Sequence, residues 1–219
     1  AIRAAAAQVE GRLVVRYGIE ADYDPETAEE LRDILKSYPF DYVIGSAHYV
    51  GDFNIDASAE GWSPYSRRDV DDIILGYWDR MLGLARSGMF DFVGHLDLYK
   101  KFGQHPSVDL SEHVNVVLDA IAESGMAVEL NTSGWHKDAR EPYPSRDMVI
   151  GCRKRGIPML VTSDAHHHSD LTRDFDKGTR MLQEAGYDKK ALFAGREMRS
   201  APLDQMRNTV PDANQDCIW

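Results

Sequence analysis

A parallel α/β barrel is the fold class that the sequence predicts, and three observations predict it. Short apolar runs rich in β-branched and aromatic residues alternate with longer stretches of helical periodicity. The alternation recurs at intervals of about 30 to 45 residues, the spacing of parallel βα units. The apolar runs end in Glu, His, Asn or Asp, where a barrel of such units carries its chemistry. An open doubly wound sheet is the other common arrangement. It calls for a glycine-rich phosphate loop after the first strand, and Tyr17-Gly18-Ile19-Glu20 has none.

Taken in order, the chain opens on Ala1-Ile2-Arg3 and four further alanines, a helical composition. Leu13–Gly18 reads as the first strand, and Glu26–Ser37, behind Pro25, as a helix. Tyr42–Gly45 is the second strand. Asp69–Ser87 places Val70, Ile73, Ile74, Tyr77, Trp78, Met81 and Leu82 at helical spacing, so the Tyr77, Trp78 and Met81 stripe is expected in the core. Phe90–Gly94 is the third strand. Ser111–Ser124 opens on a capping residue and puts Val114, Val117, Leu118 and Ile121 on one face. Met126–Leu130 and Ile157–Thr162 are further strands, with a helix over Ser145–Arg155 between them. Asp174–Ala185 is the last helix, stopped by Gly186 as Gly88, Gly125 and Gly156 stop others. Leu192–Arg199 reads as one more strand. The tail from Pro202 to Trp219 lacks periodicity and is expected to be irregular. No linker, charge block or repeat divides the chain, so a single domain over 1–219 is expected.

Composition narrows the function classes. The 219 residues carry 36 acidic and 25 basic side chains, a formal charge of −11. A chain of this length buries roughly 70% of its surface, which excludes a disordered chain or a disulfide scaffold. The acidic balance argues against nucleic-acid or anionic-membrane partners, which select basic patches. No apolar run approaches the roughly 18 residues of a membrane span. The two cysteines, Cys152 and Cys217, lie far apart and fit a reducing compartment, so a cytoplasmic location is expected. Cys152 has no His neighbour in sequence, which argues against a thiol nucleophile.

The strand ends carry the chemistry. They read Gly18-Ile19-Glu20, Gly45-Ser46-Ala47-His48, Gly94-His95-Leu96-Asp97, Glu129-Leu130-Asn131 and Thr162-Ser163-Asp164-Ala165-His166. Each residue alone has an ordinary reading: Glu20 as a solvated loop acid, His48 or His95 as a hydrogen-bonded loop histidine, Asp97 or Asp164 as a helix cap. Jointly, Glu20, His48, His95, Asp164 and His166 on one rim make a metal-site composition, because uncompensated carboxylates and desolvated imidazoles are costly. Mixed His and carboxylate ligation favours Zn, Mn or Fe over Mg or Ca. His167 and His168 read as loop residues, and His105 and His113 as solvated ones.

At these residues the sequence resembles a known family. Gly-Ile-Glu-Ala-Asp-Tyr, Gly-Ser-Ala-His-Tyr-Val, Gly-His-Leu-Asp-Leu, Glu-Leu-Asn-Thr-Ser-Gly and Ser-Asp-Ala-His, in this order, are similar to the polymerase-and-histidinol-phosphatase (PHP) family. Tyr99-Lys100-Lys101-Phe102-Gly103 and Pro142-Tyr143-Pro144-Ser145 resemble its monofunctional histidinol-phosphatase branch. The resemblance covers about Arg12 to Gly186.

It implies a distorted seven-stranded α/β barrel holding up to three divalent metals. It implies that Glu20 bridges two metals, that His48 and His95 complete one metal position, and that Asp164 and His166 serve the second and third. Catalytic roles then fall to Glu20, Asp164 and His166, with Asn131 orienting a ligand or substrate. Lys137, Arg140 and Arg67 are candidates for gripping a phosphate, Arg bidentately. The implied substrate is a small phosphate ester, most specifically L-histidinol phosphate, hydrolysed to histidinol and phosphate in histidine biosynthesis. Another small-molecule phosphoesterase activity, or a metal-binding fragment without turnover, are the alternatives. The family pattern begins with a His-x-His strand and one further His-bearing strand, and no His stands before His48 here. The chain is therefore expected to hold the C-terminal part of the barrel with its first strands missing, and only Glu20, His48 and His95 to form a full ligand set.

Overall fold

The computed structural model describes residues 2–203. Helix α1 (Ile2–Gln8) buries no residue. Strand β1 (Gly18–Asp22), helix α2 (Ala28–Lys36) and strand β2 (Tyr42–Ser46) form the first βα unit and its parallel neighbour. A small antiparallel hairpin, β3 (Tyr49–Val50) and β4 (Phe53–Asn54), precedes the long helix α3 (Arg67–Arg86). Next come β5 (Phe92–Val93), α4 (Ser111–Ser124), β6 (Ala127–Asn131), α5 (Arg146–Lys154), β7 (Met159–Thr162) and α6 (Phe175–Glu184). An antiparallel hairpin, β8 (Lys189–Ala194) and β9 (Glu197–Pro202), ends the described residues.

The main sheet has the order β1-β2-β5-β6-β7, every pair parallel, with a helix in each crossover between neighbouring strands. Strand alternation sends Val43, Val93, Val128, Leu130 and Met159 to one face. There they meet Ile74, Tyr77, Trp78 and Met81 of α3, Leu118 and Ile121 of α4, and Val149 of α5. Each such side chain taken fully out of water contributes about 1.5–3 kcal/mol. The alternate residues, among them Glu20, Ile44, Phe92, Glu129, Asn131 and Thr162, face the other way and line one large cavity.

Several helix limits have local causes. Ser66 and Asp69 form a reciprocal capping box at the start of α3. Gly125 ends α4 at φ +74, a left-handed conformation that a side chain disfavours. At the start of α4 the predicted cap by Ser111 is replaced: the Asp109 carboxylate accepts from the Ser111 N–H and hydroxyl.

Two expectations change. Leu13–Gly18 is not a strand; β1 begins at Gly18, because its partner β2 begins at Tyr42 and the preceding residues have no strand to pair with. Glu20 therefore sits inside β1 and not after it. Leu192–Arg199 is not one strand but the tip of a hairpin. Gly195 (φ +58) and Arg196 (φ +67) form its turn, both in the left-handed region that a tight two-residue hairpin turn needs. That tip is pinned to the sheet by Asp41 and Asp91, and Phe193 packs on Phe92 with ring centroids 5.3 Å apart. The α/β class holds, and the described residues form a five-stranded parallel sheet with β1 and β7 at its ends. Of the predicted irregular tail, Pro202 pairs with Lys189 and Leu203 is buried; the rest, with Cys217, lies outside the described residues.

Candidate metal centre

Three neighbouring strands of the sheet bring Glu20, His48 and His95 together. Glu20 lies in β1 opposite Ile44 of β2, and Ile44 lies opposite Phe92 of β5. His48 and His95 follow those strands within four residues. Their ligand atoms and a Glu20 oxygen all lie within 4.8 Å of one another. His95 Nε2 is 2.9 Å and His48 Nε2 3.8 Å from Glu20 Oε1, and the imidazole centroids are 4.9 Å apart. The Ser46 hydroxyl donates to the same Glu20 oxygen at 2.6 Å. A tetrahedral zinc ion with bonds near 2.0 Å spaces its ligands about 3.3 Å apart. The two observed separations bracket that value, and two imidazoles with one carboxylate make a set that leaves a coordination position open. The donor set fits a divalent transition metal.

The electrostatics follow from burial and pairing. Burial pushes the Glu20 carboxyl up, but the hydrogen bond and charge of His95, with Ser46 and His48, outweigh it and hold the pKa at about 2. Burial pushes His95 down, but Glu20, Glu129 and Asp164 raise it to about 9. His95 is 4% exposed, and its Nδ1 is buried without a hydrogen-bond partner.

Two acids that the sequence reading left without a role organise this cluster. Asp22 accepts from the His48 backbone N–H at 2.8 Å and lies 3.1 Å from His48 Nδ1, so it fixes which ring nitrogen turns toward Glu20. Its signal in the sequence is its place two residues after Glu20, on the same side of β1. Glu129 is buried in β6 and accepts from the His95 backbone N–H at 2.7 Å, from Asn131 Nδ2 at 3.2 Å and from the Thr162 hydroxyl. Burial pushes its carboxyl above the ordinary range despite these donors. Gly94 leaves room for the arrangement: a Cβ there would stand 2.7 Å from Ser46 Oγ and 2.9 Å from Ile44 Cγ2.

The other predicted residues are placed differently. Asp164 lines the same cavity and accepts from Asn131 Nδ2 at 3.2 Å. His166 is 86% exposed on its side chain, with Nδ1 2.9 Å from the Asp164 carbonyl oxygen. Lys137, Arg140 and Arg67 are exposed, and none of them lines the cavity. Its lining carries the basic side chains Arg16, Lys177, Arg180, Lys190 and Arg199 beside the carboxylates Glu20, Glu129, Asp164, Asp174 and Asp176. The cavity measures about 1010 Å³ and runs from Glu20 and His95 to the β8–β9 hairpin. Asp97 caps nothing with its side chain; it pairs with the buried Lys100 at 2.7 Å and accepts from the Ser145 N–H. His113 is half-buried, not solvated, while His105, His167 and His168 are exposed. Burial pushes the Cys152 thiol up to about 12, the condition of an unreactive core cysteine.

The PHP domain model matches residues 2–133. The chain belongs to the PHP domain family. A probable histidinol-phosphatase of Deinococcus radiodurans is 38% identical to this PHP chain over 199 residues, covering 90% of this chain and 75% of that protein. The histidinol-phosphatase of Bacillus subtilis is 29% identical, covering 74% and 66%. Among solved structures, a histidinol phosphate phosphatase from Lactococcus lactis, complexed with Zn, L-histidinol and phosphate, is similar in fold. Its TM-score is 0.73 at 21% identity, covering 90% of this chain and 76% of that one. Among the described residues no helix is long and apolar enough to cross a membrane.

Proposed function

We propose that this PHP chain is a metal-dependent phosphomonoesterase acting on L-histidinol phosphate, releasing histidinol and phosphate. The observation that carries the reading is the Glu20, His48 and His95 donor set, of which Glu20 and His95 line a cavity that also presents the basic side chains Arg16, Lys177 and Arg180. Its relatives named histidinol-phosphatase, and the similar fold that binds Zn, histidinol and phosphate, supply the substrate.

Glu20, His48 and His95 would hold one ion, with Asp22 orienting His48. Asp164 and His166 stand as the anchors of further ions, up to three in all, drawn from Zn, Mn or Fe. A bound divalent ion supplies Lewis acidity toward phosphoryl oxygens and makes a nucleophile of water at neutral pH. The protein supplies the rest. Its ionised Glu20 offsets the positive charge, and Asn131 fixes the Asp164 carboxylate. Arg16, Lys177 and Arg180 face the cavity, so we assign them the phosphate grip in place of Lys137, Arg140 and Arg67. The apolar side chains Tyr42, Ile44 and Phe92 exclude water from the floor. The five-stranded sheet is read as one wall of a PHP barrel of seven strands forming a single domain, and the protein as a cytoplasmic enzyme of histidine biosynthesis.

Phosphate release from L-histidinol phosphate in the presence of zinc, manganese or ferrous iron tests the reading. Turnover that is abolished by a chelator and restored by metal is expected, with weaker turnover on p-nitrophenyl phosphate. Metal binding without phosphate release from any ester would replace the enzyme with a metal-binding chain.

A further inference from the structure

Among the described residues Glu129 makes no hydrogen bond to the side chains of Glu20, His48 or His95, yet three separate strand ends converge on it. It is 4% exposed in the middle of the sheet. One carboxylate oxygen accepts from the backbone N–H of His95, beyond β5, at 2.7 Å and from Asn131 Nδ2 in β6 at 3.2 Å. The other accepts from the hydroxyl of Thr162, the last residue of β7. The same Asn131 amide reaches Asp164 Oδ2 at 3.2 Å, while Asn131 Oδ1 accepts from the Ser133 N–H at 2.9 Å.

What these bonds hold is strained. His95 has φ +25 and Asp164 φ +48, both in the left-handed region that non-glycine residues occupy only when their surroundings impose it. The turn at His95 is what aims its imidazole back along the sheet to Glu20. An ionised carboxylate donates nothing and accepts on both oxygens, so Glu129 matches the donors pointed at it.

We propose that Glu129 is a positioning residue: its carboxylate clamps the strained backbone at His95 and, through Asn131, the side chain of Asp164, so that the ligand cluster is assembled before an ion arrives. This rests on the reading of Glu20, His48 and His95 as a metal centre. The role is one of acceptor geometry, not of charge. Gln at this position keeps an oxygen for His95 and Asn131, and its amide can donate to Thr162, whose hydroxyl can turn to accept. Asp keeps the charge but withdraws the acceptors by one methylene.

The test compares wild type, Glu129→Gln and Glu129→Asp, with zinc affinity measured by competition against a chromophoric chelator. Hydrogen exchange of the peptide containing the His95 amide is followed on the zinc-free proteins. Glu129→Gln is expected within about threefold of wild type, and Glu129→Asp about 10- to 100-fold weaker, the range for outer partners of metal ligands. Exchange at His95 should quicken in Glu129→Asp only. Equal affinities in all three proteins, an equal loss in both variants, or a larger loss in Glu129→Gln would each overturn the proposal. A wild type that binds no zinc would overturn the metal-centre reading instead, and the His95 exchange rates would still decide the role of Glu129.

Discussion

The two halves of the sheet treat their polar residues in opposite ways. On the β1-β2-β5 side, Glu20, His48 and His95 turn their donor atoms toward one point, within 4.8 Å of one another. On the β6-β7 side, Glu129, Asn131 and Thr162 satisfy one another, Asp164 is tethered to Asn131, and His166 stands 86% exposed. The difference teaches that register alone does not make a ligand cluster. Both sides pair in parallel register, but on the second side Glu129, Asn131 and Thr162 spend polar atoms on one another, while Asp164 and His166 stand apart from the three-residue cluster. The first side gathers its donor atoms at one point, and the second ties the His95 backbone and the Asp164 side chain in place.

The comparison breaks most visibly by removing a histidine from each half. His95→Ala is expected to lose zinc at the Glu20 position by more than the 10- to 100-fold typical of outer partners, and to reduce phosphate release to background. His166→Ala is expected to leave zinc at that position within about threefold. Equal losses in the two variants, by metal analysis after dialysis, would erase the distinction between the halves.

A second experiment addresses the tie between them. Lys100 bridges Asp97 and Glu141 at 2.7 and 2.8 Å and joins the loop after β5 to the segment after β6. Asp97 is 1% exposed, and burial pushes its carboxyl up while Lys100 opposes the shift. Lys100→Met leaves that acid without its counter-charge, so urea unfolding should show a loss of about 3–5 kcal/mol. A loss below about 1 kcal/mol would mean that the two loops hold without the pair.

Much of the fold was legible along the chain. Helix α4 runs over Ser111–Ser124 as its periodicity predicts, and β2 and β6 fall within a residue of their apolar runs. These elements are set by local pattern and by glycine stops. What was not legible depends on partners distant in sequence. The start of β1 is set by where β2 begins, 24 residues on by the Tyr17 to Asp41 hydrogen bond. The Gly195-Arg196 turn lies between Leu192-Phe193-Ala194 and Glu197-Met198-Arg199, a stretch read as one strand. In the site, His48 and His95 could be picked out because each follows a strand, and Glu20 because it follows the apolar run Leu13–Gly18. Asp22 and Glu129 act by accepting the backbone N–H groups of His48 and His95, which lie beyond other strands, and the place of Asp22 two residues after Glu20 is the only hint of it in the side-chain pattern. The cavity's basic side chains come from α6, the β8–β9 hairpin and Arg16, far from the loops in which Lys137, Arg140 and Arg67 lie.

The smallest effect sharpens the electrostatics of the first half. With its pKa raised to about 9, His95 carries a proton at pH 7 in the metal-free protein, whereas Glu20, held at about 2, is ionised. Zinc uptake must therefore displace a proton from His95 at pH 7, and release should fall toward zero as the pH rises through 9. Calorimetry in buffers of different ionisation heat should show about one proton per zinc from this site. No buffer dependence at pH 7 would mean that His95 is already neutral.

The most direct measurement is anomalous diffraction at the zinc edge from crystals grown with zinc. The account predicts a peak bounded by Glu20 Oε1, His48 Nε2 and His95 Nε2, each about 2.0–2.2 Å from it. A well-occupied zinc site elsewhere, with these three side chains hydrogen-bonded to one another and free of metal, would contradict it.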